Sequence, residues 1–298
     1  MPRISSVSAS SQSVTATIGY TDPVIHFTNL EEIFSLANRA REDYVIFKGI
    51  LIPKVLMSCT NTSLDVSPED FAAIDAERFA RRRKFRLRRY YASSRTLMIS
   101  FTTAMHERLH LELHYGLYCY KLYLMGKLNS WSPTGAATFG KGGDSGQGDS
   151  TGSPRKAHEV PAKWPTLVIE AGAYETLAAL RRDMHWWFEA SDHAVKIVLL
   201  AKLDYHHRQI SLDKFEEPTV VRQGATTTRA ASRLVQQSIT IVRNDGTAPP
   251  SYDVAGGPLV LDFRLLFLRE PGPGEGDIVF SIPDLQYYAE SVWGEVEV

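Results

Sequence analysis

Cysteine is almost missing: Cys59 and Cys119 are the two thiols in 298 residues. They cannot build a disulfide framework, which fits a reducing compartment, nuclear or cytoplasmic. Neither lies in a C-x-x-C pair or beside a histidine, so both are expected to be buried or free thiols. Long apolar runs are also lacking. No stretch reaches the ~18 residues of a membrane-spanning helix, and the Ser/Thr-rich N-terminus has no continuous apolar core of a secretory leader; no membrane partner is expected. An excess of one charge is absent too. Lys plus Arg number 33 and Asp plus Glu 34, for a net charge of -1, which excludes a protein that binds nucleic acid through its overall field. No internal repeat occurs, and nothing in the sequence sets the oligomeric state.

A composition that is 44% hydrophobic and 22% charged suits one large globular domain or two small ones. Residues 1–28 read as a polar tail. Residues 29–98 read as an arm. In it, Leu30, Ile33, Phe34 and Ala37 share a helical face over 29–41, and residues 44–56 are strand-like. Ser67-Pro68-Glu69-Asp70 marks a helix N-terminus, with Pro at the first position and acids in the first turn; this helix is expected to end near Arg82. Residues 99–210 read as the core and 211–298 as a β-rich extension packed on it. The core opens with a strand at 97–101 and a long amphipathic helix at 103–125, carrying Leu109, Leu113, Leu117, Tyr120 and Leu124. Residues 132–163, rich in Gly, Ser and Pro, read as a long loop. Strands are expected at 238–242, 259–268 and 277–282, and a closing helix at 284–293.

The most telling stretch is Trp164 to Leu200. Leu167, Val168 and Ile169 form a buried-type strand that ends in Glu170, and Gly172 breaks it. Leu177, Leu180, Met184 and Trp187 then recur at helical spacing, and a second apolar strand follows at 195–200. A carboxylate left unpaired at the end of a core strand costs several kcal/mol, so Glu170 needs a partner: a cation, a helix N-terminus or a metal.

Helix, acidic loop, strand ending in Glu, helix, strand is an order that resembles the PD-(D/E)xK, or restriction-endonuclease-like, nucleases, in particular a fungal branch. The residues carrying the likeness are His106-Glu107, Gly135 to Phe139 (GAATF), Lys141 to Asp144 (KGGD), the segment WPTLVIEAG, and LRRDMHWWFEAS leading into VKIVLL. PLVLDFRLLFLREP and DIVFSIPDL also resemble that branch. The likeness spans roughly residues 99–293 and is most specific over 164–200. It implies an α/β (α+β) fold, a small mixed central sheet flanked by helices with a β-rich C-terminal extension. It also implies Mg²⁺- or Mn²⁺-dependent phosphodiester hydrolysis of nucleic acid, with DNA as the expected partner. By position it implies Glu107 as a helix acid and Asp144 and Glu170 as strand acids holding the metal. Asp149 competes with Asp144. The family's E-x-K would place lysine at 172, where this chain has Gly172. Lys196, or Arg181 and Arg182 on the intervening helix, are the replacements available for positive charge at the phosphate.

Other signals admit plainer explanations. Arg81 to Arg89 (RRRKFRLRR) is either a phosphate-binding or nuclear-import patch, through Arg81, Arg82, Arg83, Lys84, Arg86, Arg88 and Arg89, or a solvated helix face. Tyr90 and Tyr91 could stack on bases. His106-Glu107-Arg108-Leu109-His110 also spells HExxH, which places two imidazoles on one helix face for zinc. A zinc peptidase would need a third ligand and an open cleft. His114 extends the histidine row. Trp187 is expected in the core and Trp186 against the extension, while His206 and His207 carry no assignment. The missing lysine at 172 supports a second class of function: a relative that keeps the fold and binds nucleic acid or protein without catalysis.

Overall fold

The computed structural model describes residues 24–26, 31, 62–81, 85–100, 103–155, 164–173, 175–216 and 235–294. The strand expected over 44–56, all but Glu31 of the helix expected over 29–41, and Cys59, Arg82, Arg83 and Lys84 lie outside them. Within the expected tail, Val24–His26 is a strand, β1, parallel to β2 (Thr62–Asp65).

The chain builds a mixed α/β fold around two large sheets. Helix α1 (Pro68–Ala80) begins as predicted: the Ser67 hydroxyl accepts the Asp70 amide hydrogen. Strands β3 (Arg86–Tyr91) and β4 (Thr96–Ser100) follow. A nearly continuous helix comes next. Its parts are α2 (Ala104–Leu111), capped by Thr103, a π-helical stretch (Glu112–Cys119) and α3 (Tyr120–Leu124). Then come β5 (Trp131–Pro133), β6 (Thr138–Lys141), β7 (Asp144–Gln147), β8 (Ser150–Pro154) and β9 (Leu167–Gly172). Helix α4 (Leu177–Ala190), capped by Thr176, crosses to β10 (Ile197–Asp204). The extension holds β11 (Gln209–Glu216), β12 (Val235–Asn244), β13 (Ser251–Ala255), β14 (Leu259–Leu261), α5 (Phe263–Phe267), β15 (Ile278–Phe280) and α6 (Ile282–Gly294).

The core sheet runs β13-β12-β11-β10-β9-β8-β5. Strands β9 and β10 are parallel, with α4 as the crossover, and their neighbours are antiparallel. One face carries Ile169, Ala171, Leu199 and Ala201 into an apolar cluster with Leu109, Leu113, Leu117, Tyr288 and Trp293. The other face carries Val168, Val198 and Leu200 against Leu180, Met184 and Trp187 of α4. Each such side chain contributes roughly 1.5–3 kcal/mol when fully buried.

The arm sheet runs β1-β2-β4-β3-β7-β6. Its last two strands come from the segment expected to be a loop. That segment is strand-rich because its small residues admit large neighbours. A Cβ on Gly146 would lie 2.7 Å from the Arg89 guanidinium and 2.8 Å from the Trp186 ring; one on Gly152 would lie 2.6 Å from Trp131. The chain therefore leaves the arm sheet after Gln147 and enters the core sheet at Ser150, and Asp149 sits at the crossing. Part of the stretch read as a strand at 259–268 is helix α5, which Asp262 caps through the Arg264 amide.

Candidate functional site

The site forms where β3 of the arm meets the ends of β8 and β9 in the core. A β-bulge in β3 makes it. The pairing with β4 skips from Leu87 to Arg89, so Arg88 is the extra residue. Leu87 and Tyr90 thus point together into the cluster beneath α1. Arg86, Arg88 and Arg89 all turn toward the core and meet acids there. The basic run is therefore no exposed helical face. Helix α1 ends at Ala80, and Arg88 and Arg89 are buried in a strand. Neither can present the exposed phosphate contact expected of it. Arg81, partly exposed, pairs with Glu77 at 2.6 Å and also with Glu31. Tyr90 is buried, stacked on Phe71 at 4.1 Å between centroids, and is closed to bases.

Each inward arginine holds at least two partners. Arg86 pairs with Asp149 and, at 2.9 Å, with Glu107. Arg88 pairs with Asp183 and, at 3.2 Å, with Glu175. Arg89, fully buried, donates to Glu170 at 2.9 Å and lies 3.3 Å from Asp183. Its guanidinium sits 4.3 Å from the Trp186 ring and 5.0 Å from Trp187. Trp186 is thus held by the site and not by the extension. Trp187 is core, as expected, and its indole N–H also donates to Glu170 at 2.5 Å.

Asp149 is the junction acid. Its Oδ2 accepts the Ala171 amide hydrogen at 2.7 Å, which ties it to the strand turn beside Glu170, and lies 3.3 Å from His106 Nε2. Glu107 lies 3.3 Å from His110 Nε2, and His110 Nδ1 contacts Ser150 Oγ at 2.8 Å. Helix α2 and the β7–β8 crossing therefore bring Glu107 and Asp149 together on Arg86, while Glu170, one residue before the Ala171 amide whose hydrogen Asp149 accepts, turns its carboxylate to Arg89 and Trp187.

Electrostatics sets these acids apart. Burial raises Glu170 to about 7, opposed by Arg89 and reinforced by Asp149 and Asp183. Burial also pulls Glu107 upward, but the His110 hydrogen bond and Arg86 outweigh it and hold Glu107 near 2. Asp149 behaves likewise: burial disfavours its charge, yet His106 and Arg86 keep it well below the usual carboxylate range. His106 is raised despite burial, because Asp149 faces it.

The other expected site residues lie apart. Asp144 begins β7 and accepts the Ala92 amide hydrogen at 2.8 Å beside the β6–β7 turn. At ~3.3 Å per residue it is up to about 16 Å from Asp149. Lys196 precedes β10 and donates to the His193 carbonyl at 2.6 Å. It is four residues, or about 13 Å along the strand, from Leu200, the register partner of Glu170. Arg182 is exposed on α4, and Arg181 pairs with Asp213 at 3.0 Å.

Lys202 is a residue the sequence reading passed over. It pairs in register with Gly172, the position where the resemblance wants lysine, and so shares the sheet face of Glu170. Its ammonium donates to the Ala173 carbonyl at 3.0 Å, and burial lowers its pKa. The signal was present: one lysine in the apolar strand 197–203, two residues beyond the partner of Glu170. Glu175 and Asp183 were likewise findable as acids flanking the same strand-helix unit, and Asp149, offered as the competitor of Asp144, is the acid that reaches the site.

The donor set fits a divalent cation. Two carboxylates, Glu107 and Asp149, converge on the Arg86 guanidinium, an organic cation at their common point. His106 Nδ1 is buried beside them without a hydrogen-bond partner among the described residues. A cavity of about 370 Å³ between α1 and the β6–β7 hairpin, lined in part by Arg78, Phe79, Ala137 and Gln147, includes none of these acids.

No family model and no curated protein matches the chain. A crystal structure of a nuclease candidate belonging to DUF820 from Anabaena variabilis ATCC 29413 aligns with 67% of this chain and 90% of that chain, at 8% identity and a TM-score of 0.36. None of these comparisons points to a fungal branch. Among the described residues, no helix is long and apolar enough to cross a membrane.

Proposed function

We propose that this protein is a divalent-metal-dependent phosphodiesterase acting on nucleic acid, with DNA as the first substrate to test. The observation that carries this reading is the meeting of Glu107 and Asp149 on Arg86, beside the strand that carries Glu170, with Lys202 in register with Gly172. Glu107 and Asp149 would hold the ion, Mg²⁺ or Mn²⁺, with Glu170 behind them. Such an ion supplies charge neutralisation at the scissile phosphate and a more acidic bound water. Lys202 stands on the Glu170 face to offer positive charge to the phosphate. Arg86 is the side chain that must yield when the ion enters, and once freed it is placed to contact the phosphate.

A second reading has its own support. Arg89 and Glu170 are a buried, mutually satisfied pair, and Arg86 already neutralises Glu107 and Asp149. A fold kept by such pairs serves equally as a binding module without catalysis. A zinc peptidase, which needs an open metal position for its substrate, is disfavoured because His106 and His110 are buried.

The deciding measurement is cleavage of plasmid and single-stranded DNA with Mg²⁺ or Mn²⁺, comparing wild type with Asp149→Asn and Lys202→Ala. Metal-dependent cleavage that drops at least ~100-fold in Asp149→Asn is expected. Wild-type DNA binding without cleavage in either metal would leave the binding module.

A further inference from the structure

We infer that His106, Glu107 and His110 form a site selective for a borderline transition-metal ion of the Zn²⁺ or Co²⁺ class over Mg²⁺, with Asp149 supporting His106 from its other ring nitrogen. The inference goes beyond the proposed function: it shares Glu107 with that reading but assigns a different ion, and metal binding tests it separately from hydrolysis.

The geometry is that of a ligand set held one step from closure. His106 and His110 are one helical turn apart on α2, and one ligand atom each from His106, Glu107 and His110 lie within 4.8 Å of one another. His106 Nε2 is 3.3 Å from Asp149 Oδ2, and His110 Nε2 is 3.3 Å from Glu107 Oε2. A four-coordinate ion with bonds of about 2.0–2.2 Å holds its donors roughly 3.4 Å apart, a separation the Glu107–His110 pair already has, while Asp149 holds the other nitrogen of His106 from behind.

Three further observations point to a cation. The Arg86 guanidinium touches Glu107 at 2.9 Å, His110 Nε2 at 3.4 Å, and Asp149. A positive group is thus drawn to these donors, and one of its nitrogens faces the same His110 Nε2 that a metal would use. His106 Nδ1 is buried, without a hydrogen-bond partner among the described residues, and 3.9 Å from Glu107 Oε1. His110 is oriented from behind: its Nδ1 contacts Ser150 Oγ, the kind of outer hydrogen bond that fixes a ligating histidine's tautomer and aims Nε2 inward.

The donor chemistry selects the ion. Imidazole suits zinc, copper, iron and nickel, whereas magnesium prefers an all-oxygen shell with several waters. Two imidazoles beside one carboxylate therefore favour the later first-row ions. Arg86 must swing aside, so it acts as an internal competitor for the site.

The test is Co²⁺ titration of the chelator-treated full chain, read by visible absorption, with Zn²⁺ and Mg²⁺ as competitors. One equivalent of Co²⁺ is expected to bind, giving a d–d spectrum that Zn²⁺ abolishes and millimolar Mg²⁺ does not. His110→Gln should weaken binding by about 10- to 100-fold, as loss of a ligand or its support does, and Arg86→Gln should tighten it by about tenfold. Melting curves check that each variant folds. If His110→Gln does not fold, Arg86→Gln and the Mg²⁺ competition still decide. Absence of Co²⁺ binding by the wild type, equal competition by Mg²⁺, or affinity unchanged in both variants would overturn the inference. Co²⁺ binding without DNA cleavage under any metal leaves the site standing and removes the hydrolytic reading. Mg²⁺-dependent cleavage without Co²⁺ binding does the reverse.

Discussion

The two faces of β9 differ by one residue step and follow opposite rules. Ile169 and Ala171 enter an apolar cluster in which shape and volume suffice. Glu170, between them, enters a seam where every charge is named by its partner. Both faces are equally buried. The comparison teaches that burial alone does not define a core: on one side water is replaced by carbon, on the other by a closed set of opposite charges, and only the second is intolerant of losing a single member.

The largest effect should come from opening that set. Removing Arg89 leaves Glu170 buried without its cation, and breaking one partner of a buried pair costs about 3–5 kcal/mol. Arg89→Met should therefore unfold at much lower urea, while Arg89→Met combined with Glu170→Leu should recover a large part of the loss. A single-variant cost below about 1 kcal/mol would mean the seam behaves like a solvated surface.

The next test uses pH to separate the two kinds of burial. His114 lies on the apolar side, where burial lowers it to about 4, and the Trp131 indole donates to its Nε2. Its depressed folded pKa means that its contribution is complete above about 6.5 and is lost as pH falls toward 4. Glu170 works oppositely. Its folded pKa of about 7 exceeds its unfolded value, so the penalty for ionising it grows as pH rises from about 4.5 to 7. Each contributes up to about 1.4 kcal/mol per pH unit, and the two offset each other between pH 4.5 and 6.5. Glu170→Gln should expose a loss of stability on acidification there, and His114→Gln a gain, as followed by urea midpoints. Identical slopes in the two variants would break the comparison.

The smallest effect concerns the glycines that let the seam close. Gly146→Ala should cost about 1–3 kcal/mol, the range for overpacking, because the Arg89 guanidinium and Trp186 ring occupy the space. Gly276→Ala, with open space around it, is the control and should melt within about 2 °C of wild type.

The apolar half of this design was legible in the sequence. The runs at 167–169 and 195–200, the spacing of Leu180, Met184 and Trp187, and the cap at Ser67 are local signals, which tertiary structure reinforces. The polar half was not. Arg86, Arg88 and Arg89 lose the strand's two-residue alternation through the bulge, so they read as a charged helix face. Gly146, Gly148 and Gly152 read as loop, although they are small because tryptophans and an arginine lie against them. Asp149, flanked by Gly148 and Ser150, stood only as a competitor of Asp144. Its importance depends on Ala171 and His106, far along the chain. Lys202 stood out as one lysine in an apolar strand, but its place opposite Gly172 follows from the register of β10 on β9.

The order in which the partners are made has a consequence during synthesis. Arg88 precedes Asp183 by 95 residues, and Arg86 precedes Asp149 by 63. At roughly 5–20 residues per second, the ribosome releases the three arginines roughly 5 to 20 s before the last of their acids appears. For that interval the nascent chain is a cationic segment next to the RNA-rich surface of the ribosome, and its folding becomes a transfer of arginines from outside anions to the protein's own.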